Sequence, residues 1–328
     1  MQTLKVLIIY FAVAGIIFVS NLIPVGNIAN AGIMPTMLSV VLLIPLWVWY
    51  KEHTRSTSLS KQIKDETRQT ILFWISMLFI LALIVRIPSV LLFDWPFEKT
   101  PLIYLIIFTV VILMKNDVSA FGFTISRVGR MLLLGSAYYI AVSLLPIILS
   151  NVAFYILEGQ LLIGGFDSLS FLFMMPFQTF CVGISEEGLF RGYMQTRLAR
   201  VYSIGKAILL QALLFGLWHF VWHIAPLNMP GMTIHIGYTF IWGLLAGYFY
   251  RNVPNLTPLV LAHGLHNSVQ HGLIYDSTAL GVLDRLPPSI QVALSIIPVI
   301  VSWVATAVLT KFLTKRMTRV SKSARNSS

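Results

Sequence analysis

The sequence predicts an all-α, polytopic membrane helix bundle of about ten transmembrane helices. Hydrophobic residues make up 57% of its 328 residues and charged residues only 11%, and the mean hydropathy is +0.82. The apolar runs are continuous and do not alternate with polar residues, which favours helices over a transmembrane β-barrel. The chain is therefore expected to be an integral membrane protein.

Ten apolar segments reach or approach the length of about 20 residues that a membrane-spanning helix needs. The fourth segment is short, and the sixth can continue to Arg200 as a helix that leaves the membrane. The predicted spans are Leu4–Pro24, Ala31–Tyr50, Thr70–Phe93, Pro101–Met114, Met131–Asn151, Leu169–Ile184, Lys206–Ile224, Met232–Tyr250, Leu256–Tyr275 and Ser289–Phe312.

Basic residues are concentrated in alternate connections between these spans. Lysine and arginine dominate segments 51–68, 115–130 and 191–206 and the C-terminal tail, and Arg251 lies in a further connection on the same side. The connections on the opposite side hold only two basic residues, Lys99 and Arg285. The acidic residues of those other connections are Asp94, Glu98, Glu158, Asp167, Asp276 and Asp284. By the positive-inside rule, both termini are expected in the cytoplasm. The net charge of +11 then reflects topology and attraction to anionic membrane lipids, so nucleic acid is not an expected partner.

Ionisable side chains are unevenly distributed along the apolar part of the chain. The first five spans contain almost none beyond Arg86. Six of the seven histidines lie between residues 186 and 271, together with Glu186 and Glu187. These histidines are His219, His223, His235, His263, His266 and His271. Because ionisable groups are costly in lipid, they are expected to face one another and to have a function.

The motif EEGLFR places a charged cluster directly after an uncharged apolar run. Glu187 and Arg191 are four residues apart, so on a helix they share a face and can form a salt bridge. Glu186 points about 100° away from that face and is free for other chemistry. The pair alone is typical of a structural ion pair, whereas Glu186 is a candidate for catalysis.

Two further motifs add imidazole and carboxamide groups. FGLWH puts Phe215 and His219 on one helix face, and HGLHN does the same for His263 and Asn267. A carboxylate can act as general base for water while a histidine shares the proton. Histidine and asparagine side chains can stabilise the oxyanion that develops on an attacked carbonyl. The three motifs together favour hydrolysis of an amide.

These motifs match the EExxxR, FxxxH and HxxxN patterns of the CPBP family, which resembles the Rce1-type CAAX prenyl proteases and the bacterial bacteriocin-processing and immunity (Abi) proteins. The resemblance implies an intramembrane endopeptidase, here in a bacterial plasma membrane. Its substrate would be a membrane-associated peptide of the prenylated CAAX-like, bacteriocin or signal type. Glu187 and Arg191 would support the shape of the site.

The resemblance also implies catalytic roles. Glu186 would activate water with His219, and His263 would form an oxyanion hole with Asn267. On the same basis, residues 1–165 are predicted to be N-terminal transmembrane helices that act as a scaffold. Residues 166–280 would form the CPBP/Abi catalytic core, and residues 281–328 the final transmembrane helix and a basic cytoplasmic tail.

The motifs leave two kinds of catalysis open. Glu186, His219 and His263 could bind a catalytic zinc ion and leave a position for water. The same residues could also act without a cofactor, and the HExxH motif of many zinc proteases is absent. Pairing His263 with Asn267 as two hydrogen-bond donors favours metal-independent chemistry.

Two other functions are alternatives to proteolysis. The chain could be a non-catalytic membrane regulator or bacteriocin immunity protein that contacts a sensor kinase or a peptide exporter through its helices. A haem-binding membrane oxidoreductase would use histidines as axial ligands, but their spacing does not form clear pairs on two helices. The sequence does not indicate an oligomeric state.

The predicted spans also suggest how deep the site lies. Glu186 follows the cytoplasmic end of the sixth predicted span, and His263 lies roughly 10 Å into the ninth from the same side. A cavity open to the cytoplasmic half of the membrane is therefore expected.

Overall fold

The computed structural model describes residues 1–23 and 33–326, with side chains described as far as Leu313. The described residues form eleven helices and a two-stranded sheet, and a helix occurs in each of the ten predicted segments. The predicted span ends at Pro24 and Ala31 lie outside the described residues, as do the side chains of the basic tail. The helices are α1 Gln2–Leu22, α2 Ile33–Ser56, α3 Arg68–Phe93, α4 Lys99–Leu113, α5 Val128–Glu158, α6 Ser168–Val201, α7 Ile204–Leu217, α8 Met229–Asn252, α9 Thr257–Gly272, α10 Ser277–Leu283 and α11 Pro288–Asn326. The strands are β1 Ile163–Phe166 and β2 Leu273–Tyr275.

Seven of these helical segments are long and apolar enough to cross a membrane: α1, α2, α3, α5, α6, α7 with the turn that follows it to His223, and the first part of α11. Helix α4 is apolar but shorter, and α9 has only 16 residues. Helix α8 has 24 residues but is not among the seven. The chain is an integral, all-α membrane protein, although three of the ten predicted spans fall short of this length and hydropathy standard.

Helix α4 is short because it lies inside the bundle. Nearly every residue from Lys99 to Val111 is buried. A helix that is apolar all round is expected at the centre of a protein. Helix α4 contacts α1, α2, α3 and α6, and its first residue is charged and buried. The scaffold half of the chain therefore reaches the centre of the molecule.

Helix α6 changes its winding around the two glutamates. Ile184–Glu187 is α-helical, and it is flanked by the π-helical segments Phe177–Gly183 and Gly188–Gln195. Such wide turns are rare and occur frequently at functional sites. All residues from Ser185 to Gln195 are buried, so this part of α6 faces protein on every side. The predicted extension of the sixth span is confirmed, because α6 runs without interruption to Val201.

Helix α9 packs closely against α6 through two glycines. A Cβ atom on Gly264 would lie 2.8 Å from Thr179 Cα, and one on Gly183 would lie 2.8 Å from the Val260 carbonyl oxygen. Small residues at such a crossing let two membrane helices approach closely. This contact brings the polar residues of α9 beside the glutamates of α6.

The glycine face of α8 packs within the chain. A Cβ atom on Gly243 would lie 2.9 Å from Ala212 Cα of α7, and Gln211 donates a hydrogen bond of 2.8 Å to the Gly243 carbonyl. Gln195 donates to the Gly247 carbonyl at 2.9 Å. Gly243 and Gly247 therefore serve helix packing within the chain.

The two strands connect α6 and α9 at one end of the bundle. Strands β1 and β2 pair antiparallel, and the Asp167 backbone N–H donates to the Gly272 carbonyl at 2.7 Å. The Asp167 side chain caps α6 by accepting from the backbone of Leu169 and Ser170. Hydrogen bonds from the Ser170 hydroxyl and backbone hold the pKa of Asp167 below its usual range. The start of α6 and the end of α9 are thereby fixed to each other.

Candidate active site

A cavity of about 520 Å³ lies among helices α3, α4, α6, α7, α8 and α9. All four predicted catalytic side chains line it: Glu186, His219, His263 and Asn267. The other lining residues are Arg86, Asp94, Trp95, Pro96, Lys99, Gln178, Val182, Phe215, Trp222, His235, Tyr238, Thr239, Trp242, His266, Gln270 and His271. Three separate helices therefore bring a carboxylate, two imidazoles and a carboxamide to one space, as the motifs predict.

The two oxygens of the Glu186 carboxylate have different surroundings. Oε1 accepts hydrogen bonds from Lys99 Nζ at 2.5 Å and from Trp218 Nε1 at 2.8 Å. Oε2 has no hydrogen-bond partner among the described residues and lies 3.6 Å from His263 Nε2. Glu186 as a whole residue is 2% exposed. Oε2 is therefore the oxygen that is free to act on a molecule in the cavity.

Lys99 belongs to a buried cluster of four charged residues. Its ammonium lies 2.8 Å from Glu98 Oε1, and the same oxygen pairs with the Arg86 guanidinium. With Glu186 the formal charges of the cluster sum to zero, as buried charges require. Arg86 also lies over the Trp218 ring, 4.4 Å from its centroid.

The charge pattern places Glu98 and Lys99 in a connection between two spans at the membrane surface, and this prediction is wrong. Both residues are 1% exposed, because the segment between α3 and α4 folds into the bundle and carries them to the site. The prediction that the N-terminal helices act only as a scaffold also missed this contribution. Lys99 was visible in the sequence as a basic residue that opposed the charge trend, and Arg86 as an isolated charge within a span.

Glu187 orients His263. His263 Nδ1 donates to Glu187 Oε1 at 2.9 Å, and Arg191 Nη1 donates to the same oxygen at 3.3 Å. The predicted salt bridge between Glu187 and Arg191 is confirmed, with both side chains fully buried. Because a carboxylate accepts hydrogen bonds, its contact fixes the His263 proton on Nδ1 and leaves Nε2 toward Glu186.

His219 is held in a similar way by its own helix. Its Nδ1 lies 2.8 Å from the Phe215 carbonyl oxygen, which can only accept, so Nδ1 carries the proton. Its Nε2 has no hydrogen-bond partner among the residues that the structure describes. The ring is 5.1 Å from the ring of His235, centroid to centroid. His235 in turn is hydrogen-bonded to His223 at 3.0 Å. His235 therefore lies in the cavity wall, and His223 is its hydrogen-bond partner.

Asn267 is oriented by a residue that the motifs did not reveal. Its Nδ2 donates to Gln178 Oε1 at 2.9 Å, and Gln178 Nε2 lies 3.3 Å from His271 Nε2. Gln178 is buried in the first π-helical segment of α6. An uncharged glutamine inside an apolar run follows no helical period, so no pattern in the sequence pairs it with Asn267.

The site fits a zinc ion only in part. Nδ1 of His219 and of His263 is held by an acceptor, an arrangement that also orients zinc-binding histidines. Among the described residues, however, no group of three His, Cys, Asp or Glu side chains is arranged to hold a metal. The Lys99 ammonium also shares the Glu186 carboxylate. As placed, the described side chains do not form a metal site, and binding of zinc by Glu186, His219 and His263 stays a prediction.

The cavity reaches the end of the bundle where α3 and α9 end. Its lining includes Asp94, Trp95 and Pro96 after α3, and Gln270 and His271 at the end of α9. The basic segments 51–68 and 115–130 lie at the opposite end of α3 and α4. The expectation of a cavity open to the cytoplasmic half is therefore inconsistent with the topology that the same charges predict. The difference arises because α6 does not end near Ile184, so Glu186 lies near the middle of the helix.

Comparison with protein families gives one match. Residues 168–269 match the model of the Rce1-like family, described as type II CAAX prenyl endopeptidase Rce1-like. The matched segment spans α6, α7, α8 and most of α9, and it confirms the resemblance seen in the three motifs. Comparison with curated proteins and with solved structures gave no match.

Proposed function

Because residues 168–269 form an Rce1-like domain within an integral membrane protein, we propose that the chain is an intramembrane endopeptidase of the CPBP type. The family match implies protease activity. The observation that supports a specific mechanism is the convergence of Glu186, His219, His263 and Asn267 on one buried cavity. The bond hydrolysed is a peptide bond of a membrane-associated peptide.

Glu186 and His219 activate the water molecule. Glu186 Oε2 is free of hydrogen bonds among the described residues, and His219 Nε2 presents a lone pair because its proton is on Nδ1. A water molecule between them donates one hydrogen to each and attacks the substrate carbonyl carbon as its proton moves to Glu186. His219 thus orients the water while the carboxylate takes the proton.

His263 and Asn267 stabilise the oxyanion. The amide group of Asn267 is held by Gln178 and retains a second N–H for the substrate oxygen. His263 donates from Nε2 only as the imidazolium, because its Nδ1–H is engaged by Glu187. The Glu187 carboxylate, 2.9 Å from His263 Nδ1, stabilises that positive charge. The intermediate collapses when Glu186 returns the proton to the leaving nitrogen and the C–N bond breaks.

The cavity wall favours an apolar group next to the scissile bond. Trp95, Trp222, Tyr238 and Trp242 line the cavity beside the catalytic groups. Such a lining suits a prenyl chain of a CAAX-like peptide or the apolar residues of a bacteriocin or signal-type peptide. In a bacterial plasma membrane with both termini in the cytoplasm, the peptide would reach the site from the non-cytoplasmic end or from between the helices.

The test uses the purified protein in lipid vesicles with two substrates, a prenylated CAAX peptide and a bacteriocin-leader peptide. Products are identified by mass spectrometry. Glu186→Gln keeps the shape of the side chain but cannot accept the proton, and loss of a general base is expected to lower the rate by about 100-fold to 10,000-fold. Glu158→Gln, at an exposed position at the end of α5, is the matched control and is expected to cleave normally.

Two results would contradict the proposal. The first result is that the wild-type protein cleaves neither peptide and that cells carrying Glu186→Gln show the same phenotype as cells carrying the wild-type protein. The chain would then act as a non-catalytic regulator or immunity protein. If a chelator abolishes cleavage and zinc restores it, the metal-independent mechanism is wrong and the alternative set Glu186, His219 and His263 gains support.

A further inference from the structure

We propose that Lys99 is a positioning residue for Glu186, and that its ammonium selects which carboxylate oxygen acts on water. This inference rests on the proposed function. It concerns a residue outside the three motifs and outside the matched segment 168–269. Lys99 holds Oε1, so that Oε2 alone faces the reacting groups.

The first observation is the unequal solvation of the carboxylate. Oε1 of Glu186 receives one hydrogen bond from Lys99 at 2.5 Å and another from Trp218 at 2.8 Å. The ammonium lies 4.9 Å from the centre of the Trp218 ring, so the two donors support each other. Two donors on one oxygen restrict rotation of the Glu186 carboxylate about the Cγ–Cδ bond. The second oxygen is thereby directed to the side of His263.

The second observation is that the Lys99 side chain is itself fixed by charged neighbours other than Glu186. Glu98 contacts the ammonium at 2.8 Å, and Arg86 pairs with the same Glu98 oxygen. Lys99 is the first residue of a buried helix and is 1% exposed, so its side chain has little freedom. A positioning role needs such support, because a mobile lysine could not fix the geometry of its partner.

Lys99 also separates two buried carboxylates. Without its charge, Glu98 and Glu186 would share one cluster with only Arg86 to balance them. Loss of Lys99 could therefore impair folding as well as position. These two effects are separated by restoring the charge balance without restoring the hydrogen bond to Glu186.

Three variants test the role. Lys99→Met removes the charge and the donor, Lys99→Arg keeps both, and Lys99→Met with Glu98→Gln removes one charge of each sign. The double variant leaves Arg86 and Glu186 as a balanced pair but cannot hold Oε1. Lys61→Met, at an exposed position in the segment between α2 and α3, is the control for the substitution. Thermal unfolding in detergent measures folding, and initial rates measure kcat and KM separately.

We expect kcat of Lys99→Met to fall by about 100-fold, the loss typical of a small misplacement of a reacting group, with KM changed less than about threefold. Lys99→Arg is expected to recover most of the rate. The double variant is expected to unfold near the wild-type temperature yet keep the low kcat. In an experimental structure of Lys99→Met, the Glu186 carboxylate is expected to be rotated.

The proposal is overturned if the double variant recovers kcat, because Lys99 would then act through charge balance alone. It is equally overturned if only KM rises, which would indicate that the ammonium binds the substrate. An unrotated Glu186 carboxylate in the structure of Lys99→Met would exclude the role even if no substrate is found. If Glu186→Gln remains active, the proposed function fails; if Glu186→Gln is inactive and Lys99→Met is fully active, only the role of Lys99 fails.

Discussion

Arg191→Met is expected to destabilise the protein strongly, because it leaves a carboxylate without its buried counter-charge. The guanidinium donates to Glu187 at 3.3 Å, and both side chains are 0% exposed. It also lies over the Phe215 ring, 4.2 Å from its centroid. Methionine has a similar length and fills much of the same space, so the substitution removes charge more than volume.

The expected loss of unfolding free energy in Arg191→Met follows from the burial of the ion pair. Removing one partner of a buried ion pair destabilises a protein by about 3–5 kcal/mol. His263 continues to donate to Glu187 at 2.9 Å, and a hydrogen bond to a charged group contributes about 1.5–3 kcal/mol. Glu187 thus keeps one hydrogen-bond partner in Arg191→Met. The expected loss of unfolding free energy therefore lies at the lower end of that range, at about 3 kcal/mol. Adding Glu187→Gln removes both charges and keeps an acceptor for His263, so the double variant is expected to regain about 2 kcal/mol.

The assay is equilibrium unfolding in mixed detergent micelles, followed by the fluorescence of the eight tryptophans. The matched control is Arg200→Met, the same substitution near the end of the same helix. Arg200 pairs with Asp65 at 3.1 Å, but both are exposed, and such pairs contribute about 0–1 kcal/mol. If Arg191→Met is no more destabilising than this control, or if the double variant is as unstable as the single one, the buried pair does not stabilise the fold as argued.

Three further predictions concern helix packing, the oxyanion and access to the cavity. Gly264→Val is expected to lower the unfolding free energy by about 1–3 kcal/mol because its Cβ would overlap helix α6, whereas Gly15→Val, with open space around it, should unfold as the wild type does. Equal stability of the two variants would contradict the close helix crossing. Asn267→Ala is expected to lower kcat by about 100-fold or more in the peptide assay while the unfolding temperature changes little; an unchanged kcat would remove Asn267 from the oxyanion hole. In intact cells, a membrane-impermeant maleimide is expected to label a cysteine introduced at Asp94 but not one at Ser60, since the native cysteine is buried; the reverse pattern would show that the cavity end is cytoplasmic.

The sequence was sufficient to predict the helices and the motif residues because both depend on local patterns. Continuous apolar runs located a helix in each of the ten segments, and spacings of four residues placed Glu187 with Arg191 and His263 with Asn267 on shared faces. The family match covers the same motifs. These features are set by helix periodicity, which is readable from a single chain.

Contacts between distant segments could not be predicted in the same way. Lys99 and Glu186 are 87 positions apart, and Gln178 and Asn267 are 89 apart. No local period links such residues, and a charge in a short connection is normally read as surface. The depth of Glu186 was missed for a related reason: a charged cluster ordinarily marks a span end, but here it is neutralised by buried partners inside a longer helix.

The two π-helical segments of α6 have a consequence for how the chain tolerates changes in length. Each contains backbone hydrogen bonds between residues that are five positions apart. This wider turn accommodates a surplus residue without breaking the helix. A single-residue deletion within Phe177–Gly183 could be absorbed by rewinding that segment to ordinary pitch. The glutamates would then stay in phase with α9, and the stretch from Ser168 to Pro176 would keep its orientation. A single-residue deletion inside Ile184–Glu187 removes a residue from a turn of ordinary pitch, which holds no surplus residue. Glu186 and Glu187 would therefore rotate about the helix axis and away from the cavity.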